Sequence, residues 1–397
     1  MKTVKAQVPE GVRDVTGQEA FAKRALEQRL QTMFVRSGFE EIITPSLEYA
    51  DLFEGEVGNL RQDRMIRLFE QDGKMMTLRP DFTMPAARVV SSRAKQSQQP
   101  IRVFYRGSAF GLEHDYGQQR REFSQVGAEL MGDSGLSGDA EMLSLAAQSM
   151  TELGFADFVL DIGHVGIFQC LAKQAGFGEE ETETLRGMLD EKNAMEAGAF
   201  LQQLGVLKEI QHQCLSLIEL YGGVEVLDKA EEIFYQPCYQ SVLKELRLLA
   251  VFLQQMGHGN SITIDLGLLP GFEYYNGLVF RGLGAGVGSP IISGGRYDGV
   301  LAQFGKPMQA VGFAINMEQA MAALKADNAW PAVPKTDLVV GAAEGCFARA
   351  VAFARAKRSE GVRVVLSYQT DKSKVLAQAE NEGAQAVFLE ESKGAEQ

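Results

Sequence analysis

The 397-residue sequence is short of several residue types, and each shortage removes a class of function. It has four cysteines, Cys170, Cys214, Cys238 and Cys346, far apart and never spaced C-x-x-C. That pattern argues against a zinc site and against a disulfide framework. It suits a reducing cytoplasm, with each thiol read as a small buried hydrophobe. The four histidines, at 114, 164, 212 and 258, are too scattered to suggest a metal cluster. No run approaches the roughly 18 apolar residues of a membrane span. The start, MKTVKAQVPEGVRD, has no apolar core like that of a signal peptide. The expectation is a cytoplasmic protein with no membrane partner. Positive charge is also in deficit, with 39 Lys and Arg against 52 Asp and Glu, a formal net charge of −13. Nucleic-acid binders draw most of their affinity from phosphate neutralisation, so an acidic chain is expected to have no nucleic-acid partner. P-loop, H-E-x-x-H and G-x-S-x-G motifs are missing as well. The stretch GLGAGVG at 282–288 lies between two strand-like patterns and reads as a hairpin turn, not a dinucleotide loop.

What is present has the balance of a soluble globular protein, long enough for two or three domains. Residues 21–37 (FAKRALEQRLQTMFVRS) space apolar side chains at helical intervals, and Gly38 closes that helix. FEEIITPSLEY reads as a strand stopping at Pro45. Short strands follow at MIRLFEQD and KMMTLRPD, then a helix from Pro85, then long strand-like stretches at 101–113 and 120–130. Residues 165–258 are helical in period and read as an insert. Strands resume at SITIDLGLL, YYNGLVFRG and PIISGG. NAWPAVPK (328–335) holds two prolines and reads as a linker. Beyond it, alternating strand and helix patterns spell a small α/β unit. The fold class is therefore α+β, strands side by side with helices against one face. The domain boundaries are 1–327, containing the insert 165–258, and 335–397.

Six segments carry polar groups at strand ends: LRPDFT (78–83), FYRGSAFGLE (104–113), RREFSQVGAE (120–129), PGFEYYNG (270–277), GGRYDG (294–299) and VGFAINME (311–318). They supply Asp81, Thr83, Glu113, Gln125, Glu129, Tyr274, Tyr275 and Tyr297. Singly, each reads as an ordinary structural hydrogen-bonder. As an ordered set they resemble the histidyl-tRNA synthetases, class II enzymes built on an antiparallel sheet, from about Pro9 to Ala323. GFEEIITPSLEY resembles the first class II motif, at a dimer interface. The 104–129 segments resemble the second motif, and VGFAINMEQ the third. PGFEYYNG and SGGRYDG resemble the two histidine-specific segments.

The departures from that pattern carry the functional expectation. Three positions where the synthetases hold arginine are Gly111, Pro270 and Gln319 here. Amino-acid activation builds negative charge on phosphorus, and losing one donor that meets such charge costs roughly 2.7–4 kcal/mol. Three lost together leave no adenylation chemistry, so no catalytic residue and no cofactor or metal is expected. The amino-acid pocket is retained. By the resemblance, Glu129 and Tyr275 hold the two imidazole nitrogens of L-histidine, Asp81, Thr83 and Gln125 hold its ammonium, and Tyr274 and Tyr297 line the pocket. A phenol opposite a carboxylate is the donor and acceptor pair that a neutral imidazole needs. Asp81 replaces a longer glutamate, which loosens the ammonium contact.

A synthetase body with dead catalysis and a histidine-shaped pocket is similar to one known family, the regulatory subunits of ATP phosphoribosyltransferase. That enzyme joins ATP to phosphoribosyl pyrophosphate in the first step of histidine biosynthesis. The resemblance implies a homodimer that assembles with the short-form catalytic subunit into a hetero-octamer. It also implies that the chain supports catalytic activity and allosteric feedback inhibition by histidine. Residues 335–397 would be a shortened anticodon-binding-like remnant; their nine basic and nine acidic side chains suit a poor RNA reader. Two other readings stay open on sequence alone. One is an active histidyl-tRNA synthetase in which Arg106, Arg120 or Arg121 replaces the lost cations. The other is a stand-alone histidine-sensing module.

Overall fold

The computed structural model describes residues 7–54, 65–70, 72–93, 100–115, 118–132, 135–271, 274–284, 288–326 and 329–391, with backbone only at 112–115 and 118–119. Residues 285–287 of the glycine-rich stretch, Phe272, Glu273 and the side chain of Glu113 fall outside that set. The chain divides into two compact units, Met1–Trp330 and Pro331–Gln397.

The first unit opens with helix α1 (Gly17–Arg36), which buries Ala22, Leu26, Leu30, Met33 and Phe34 along one side. Each fully buried leucine there contributes about 1.5–3 kcal/mol by leaving water. Gly38, at φ +82, takes the left-handed conformation that ends the helix. The expected strand through Pro45 is mostly absent. Only β1 (Glu40–Glu41) joins a large sheet, and β2 (Leu47–Tyr49) pairs instead with a separate small sheet containing β3 (Arg67–Phe69) and β4 (Met75–Leu78). Arg79 explains the break. Its guanidinium donates to the carbonyls of Thr44 (2.7 Å) and Pro45 (3.1 Å), satisfying backbone acceptors that a strand would have paired. Helix α2 (Thr83–Arg93) begins two residues before Pro85, because the Asp81 carboxylate accepts from the backbone N–H of Met84 at 3.1 Å.

The large sheet then gathers β5 (Ile101–Asp115), β6 (Gln118–Met131), β7 (Phe158–His164), β8 (Tyr221–Gly222), β9 (Ile262–Asp265), β10 (Leu278–Gly284), β11 (Ile292–Arg296) and β12 (Ala310–Asn316). Its order is β1-β5-β6-β12-β11-β10-β7-β9-β8. The expectation of an antiparallel sheet holds for most neighbours, but β1–β5 and β7–β9 are parallel. Parallel pairs need long crossovers, and both have them. Between β7 and β9 runs the helical insert: α4 (Val165–Ala175), α5 (Glu179–Asp190), α6 (Ala194–Gln203), α7 (Lys208–Glu219), α8 (Val226–Ile233) and α9 (Pro237–Gln255), with α3 (Gly135–Leu153) preceding β7. Strands β10 and β11 pair antiparallel, and Gly282–Gly284 of the glycine-rich stretch form the end of β10 rather than a turn.

Alternation along the strands sorts side chains between two cores. Val126, Ala128 and Leu130 of β6 enter the core shared with α1, α3 and the insert. Phe123, Gln125 and Glu129 point the other way, toward the face that α2 covers. Helix α10 (Met317–Ala326) completes this unit. Two of the four cysteines depart from their expected burial. Cys214 and Cys346 are buried, but Cys170 and Cys238 are only half-buried. The two half-buried thiols, 68 positions apart in the chain, meet where α4 packs on α9, and burial with the Cys238 contact pushes the Cys170 thiol up to about 11.

The second unit is a parallel three-stranded sheet, β13 (Leu338–Ala342), β14 (Val364–Leu366) and β15 (Gln385–Leu389), in the order β14-β13-β15. Helix α11 (Phe347–Ser359) packs on the face carrying Leu338 and Val340. Helix α12 (Lys372–Glu382) packs on the face carrying Val339.

Candidate functional site

A cavity of about 480 Å³ opens on the face of the large sheet that α2 partly covers. All seven residues expected to read histidine line it: Asp81, Thr83, Gln125, Glu129, Tyr274, Tyr275 and Tyr297. They arrive from four places. Gln125 and Glu129 lie on the outward face of β6, Asp81 and Thr83 at the start of α2, Tyr274 and Tyr275 just before β10, and Tyr297 just after β11.

Glu129 is the centre of the arrangement. Only 1% of it is exposed, and three hydroxyls donate to its carboxylate. Tyr297 lies 2.5 Å from Oε2, while Thr83 and Tyr105 lie 3.0 and 3.1 Å from Oε1. Burial pushes the carboxyl up to about 7, against the pull of those hydrogen bonds, with nearby Asp81 adding to the rise. Burial also raises the Tyr105, Tyr274 and Tyr297 phenols well above their ordinary range. They therefore stay protonated at neutral pH and serve as donors. The Tyr274 and Tyr275 rings meet edge to face at 4.9 Å. Thr83, expected to face an ammonium, donates its hydroxyl hydrogen to Glu129, which leaves its oxygen lone pairs able to accept from a cationic donor.

The ammonium side of the expectation has a different signature. Asp81 Oδ1 accepts the Met84 N–H, but Asp81 Oδ2 is buried with no hydrogen-bond partner, and so is Gln125 Oε1. Two orphaned acceptors beside one cavity each carry a desolvation cost of about 1–3 kcal/mol that a cationic donor would relieve. Burial pushes the Asp81 carboxyl up to about 6, opposed by backbone N–H groups of Met84 and Thr83. The described walls thus offer two unpartnered acceptors and a carboxylate ringed by hydroxyl donors.

No arginine or lysine is among the described residues lining the cavity. Gln319 lines it from α10. Gly111 is buried in β5 and Pro270 follows β9, neither of them on the cavity wall. The possible substitutes are placed elsewhere. Arg106 pairs with Glu41 at 3.1 Å. Arg120 lines a separate cavity between α1 and α10. Arg121 is on the same strand face as Phe123 and Gln125, but it does not line the cavity. No metal-binding group of three or more His, Cys, Asp or Glu occurs among the described residues.

Tyr105 is the site residue that sequence reading missed. It stacks on Phe82, with ring centroids 4.5 Å apart and planes 5° from parallel. It lies directly across from Gly127, where a Cβ would stand 2.4 Å from its phenolic oxygen. The signal was the glycine in SQVGAE, which reserves space for a large side chain on the neighbouring strand. Ser289, Ser293, Ala314 and Asn316 complete the wall on the far side.

Comparison with known proteins bears on the family and the fold. A family profile described as histidyl-tRNA synthetase matches residues 11–320. An ATP phosphoribosyltransferase regulatory subunit of Desulforamulus reducens is 36% identical over 385 residues, 97% of this chain and 96% of that one. The corresponding protein of Acetivibrio thermocellus is 34% identical, covering 85% of this chain and 80% of that one. Among solved structures, an ATP phosphoribosyltransferase regulatory subunit/histidyl-tRNA synthetase from Bacillus halodurans superposes with a TM-score of 0.86 at 28% identity, over 98% of this chain and all of the other. The histidyl-tRNA synthetase of Nostoc shares the fold, with a TM-score of 0.80 at 20% identity. On the class II synthetase body, the shared length and the names its relatives carry, this chain belongs to the ATP phosphoribosyltransferase regulatory subunits, a family that shares the histidyl-tRNA synthetase fold.

Proposed function

We propose that this chain is a non-catalytic subunit that binds the short-form catalytic subunit of ATP phosphoribosyltransferase, supports its activity and relays feedback inhibition by histidine. The observation that carries the reading is the cavity itself. A carboxylate held by three hydroxyls and two orphaned acceptors suit an imidazole and an ammonium, while no arginine or lysine among the described lining residues is there to meet a triphosphate. Glu129 and Tyr275 read the imidazole, and Asp81 and Gln125 the ammonium. Thr83 joins them through its hydroxyl oxygen while its hydrogen orients Glu129. The names of the relatives supply the partner. In this reading the chain works as a homodimer within a hetero-octamer, and its second unit is a shortened anticodon-binding-like remnant.

Reconstitution tests the proposal. Adding this chain to a short-form catalytic subunit is expected to raise the rate of joining ATP to phosphoribosyl pyrophosphate. A rate unchanged by a saturating excess of this chain defeats it.

A further inference from the structure

Three side chains from one short stretch of the insert converge on the segment that leads into the pocket tyrosines. Asp190, the last residue of α5, accepts the Leu269 N–H at 3.2 Å. Arg186, one turn earlier, donates to the Leu269 carbonyl. Both hydrogen-bonding groups of one peptide position are thus held by one helix. Two residues beyond α5, Lys192 reaches Asp265 at 2.8 Å, and Asp265 is fully buried. Lys192 sits at φ +57, the one non-glycine residue with positive φ among those described. A lysine in that conformation is held there at some cost, and what it gains is the ion pair.

The held segment matters because of what rests on it. Leu268, between the clamped Leu269 and Gly267, packs with Val165 and Val279 as the apolar floor beneath the Tyr275 ring. On the far side of Tyr275, the Asn276 N–H donates to the Arg296 carbonyl at 3.0 Å. Tyr275 is therefore seated between an anchor on β11 and one on the insert. Gly295 allows the close seat, since a Cβ there would stand 2.7 Å from the tyrosine ring.

We propose that Arg186, Asp190 and Lys192 are positioning residues. They strap the insert to Asp265–Leu269 and set the place of Tyr275, so the insert governs how well the pocket reads its ligand. Because the restraint is mutual, ligand seated against Tyr275 also biases the insert, which makes the insert the arm through which occupancy leaves the site. This rests on the histidine reading of the pocket.

The test uses the full chain, with histidine calorimetry and amide hydrogen exchange over residues 266–278. Asp190→Leu removes the acceptor, Asp190→Asn keeps an oxygen in its place, and Arg186→Met removes the second clasp. Expected are faster exchange at Leu269 and about tenfold weaker histidine binding for Asp190→Leu and Arg186→Met, with Asp190→Asn within about twofold of the parent chain. Parent-like binding by both disruptive variants overturns the strap while leaving the pocket reading intact. So does a loss in Asp190→Asn as large as in Asp190→Leu. A parent chain that takes up no histidine overturns the pocket reading, and this inference with it.

Discussion

Gly312 on β12 lies directly across from Glu129 on β6, and a Cβ added to Gly312 would stand 1.5 Å from Glu129 Oε2. No rotamer of the alanine side chain can relieve that overlap, because Cβ is fixed by the backbone. The carboxylate must leave its seat among Tyr297, Thr83 and Tyr105. Gly312→Ala is therefore expected to cost about 1–3 kcal/mol of stability through overpacking. It should also weaken histidine binding roughly tenfold or more, through lost hydrogen bonds to a charged group. Urea unfolding and calorimetry measure the two effects, and parent-like histidine affinity in the folded variant argues against Glu129 as the imidazole reader.

Glu129 also gives the empty pocket a pH signature. Its carboxyl titrates at about 7 folded, against an ordinary value of 4.5. Between those values the folded chain holds a proton that the unfolded chain has released, so this group's contribution falls as pH rises. The window runs from about pH 4.5 to 7, and its full size is up to about 3 kcal/mol. Glu129→Gln has no such proton. The stability of the parent relative to Glu129→Gln should therefore drop across that window, measured by denaturant unfolding at several pH values. A flat difference shows that Glu129 is solvated.

The loss of charge at Gly111, Pro270 and Gln319 predicts an absence of chemistry. The purified chain should show neither histidine-dependent exchange of pyrophosphate into ATP nor charging of tRNA. Exchange clearly above an enzyme-free blank means that some other cation has taken over.

An apolar edge near the small sheet predicts self-association. Ile43 is 90% exposed, and Leu47, Tyr49 and Leu68, which the register places on one face of the small sheet, are 45%, 49% and 40% exposed. Such a surface is costly in water and suits an isologous contact. The chain should sediment as a dimer at micromolar concentration, and Ile43→Glu should shift it toward monomer. A parent monomer removes the dimer from the assembly.

Much of the pocket was legible through the resemblance of its segments to the histidyl-tRNA synthetases, and strand alternation agrees with that assignment on β6. Gln125 and Glu129, four residues apart on β6, had to share a side. What depended on register was hidden. Tyr105 became a pocket residue only when its strand was set against Gly127. The break after Glu41 could not be read because it is made by Arg79, more than thirty positions away in the chain. The contact between α5 and Leu269 is hidden for the same reason, since it joins residues 79 and 83 positions apart. Local pattern reports local structure, whereas a guanidinium that takes over backbone carbonyls reports only the finished fold.

The most direct measurement is a histidine titration of the catalytic subunit's rate in complex with this chain, repeated with Tyr275→Phe and with Glu129→Gln. The expected result is inhibition by histidine with the parent chain, and half-inhibition shifted by roughly tenfold or more with each variant, in line with about 1.5–3 kcal/mol for a hydrogen bond to a charged group. Identical inhibition curves with the parent and both folded variants would contradict it, and would place histidine sensing outside this pocket.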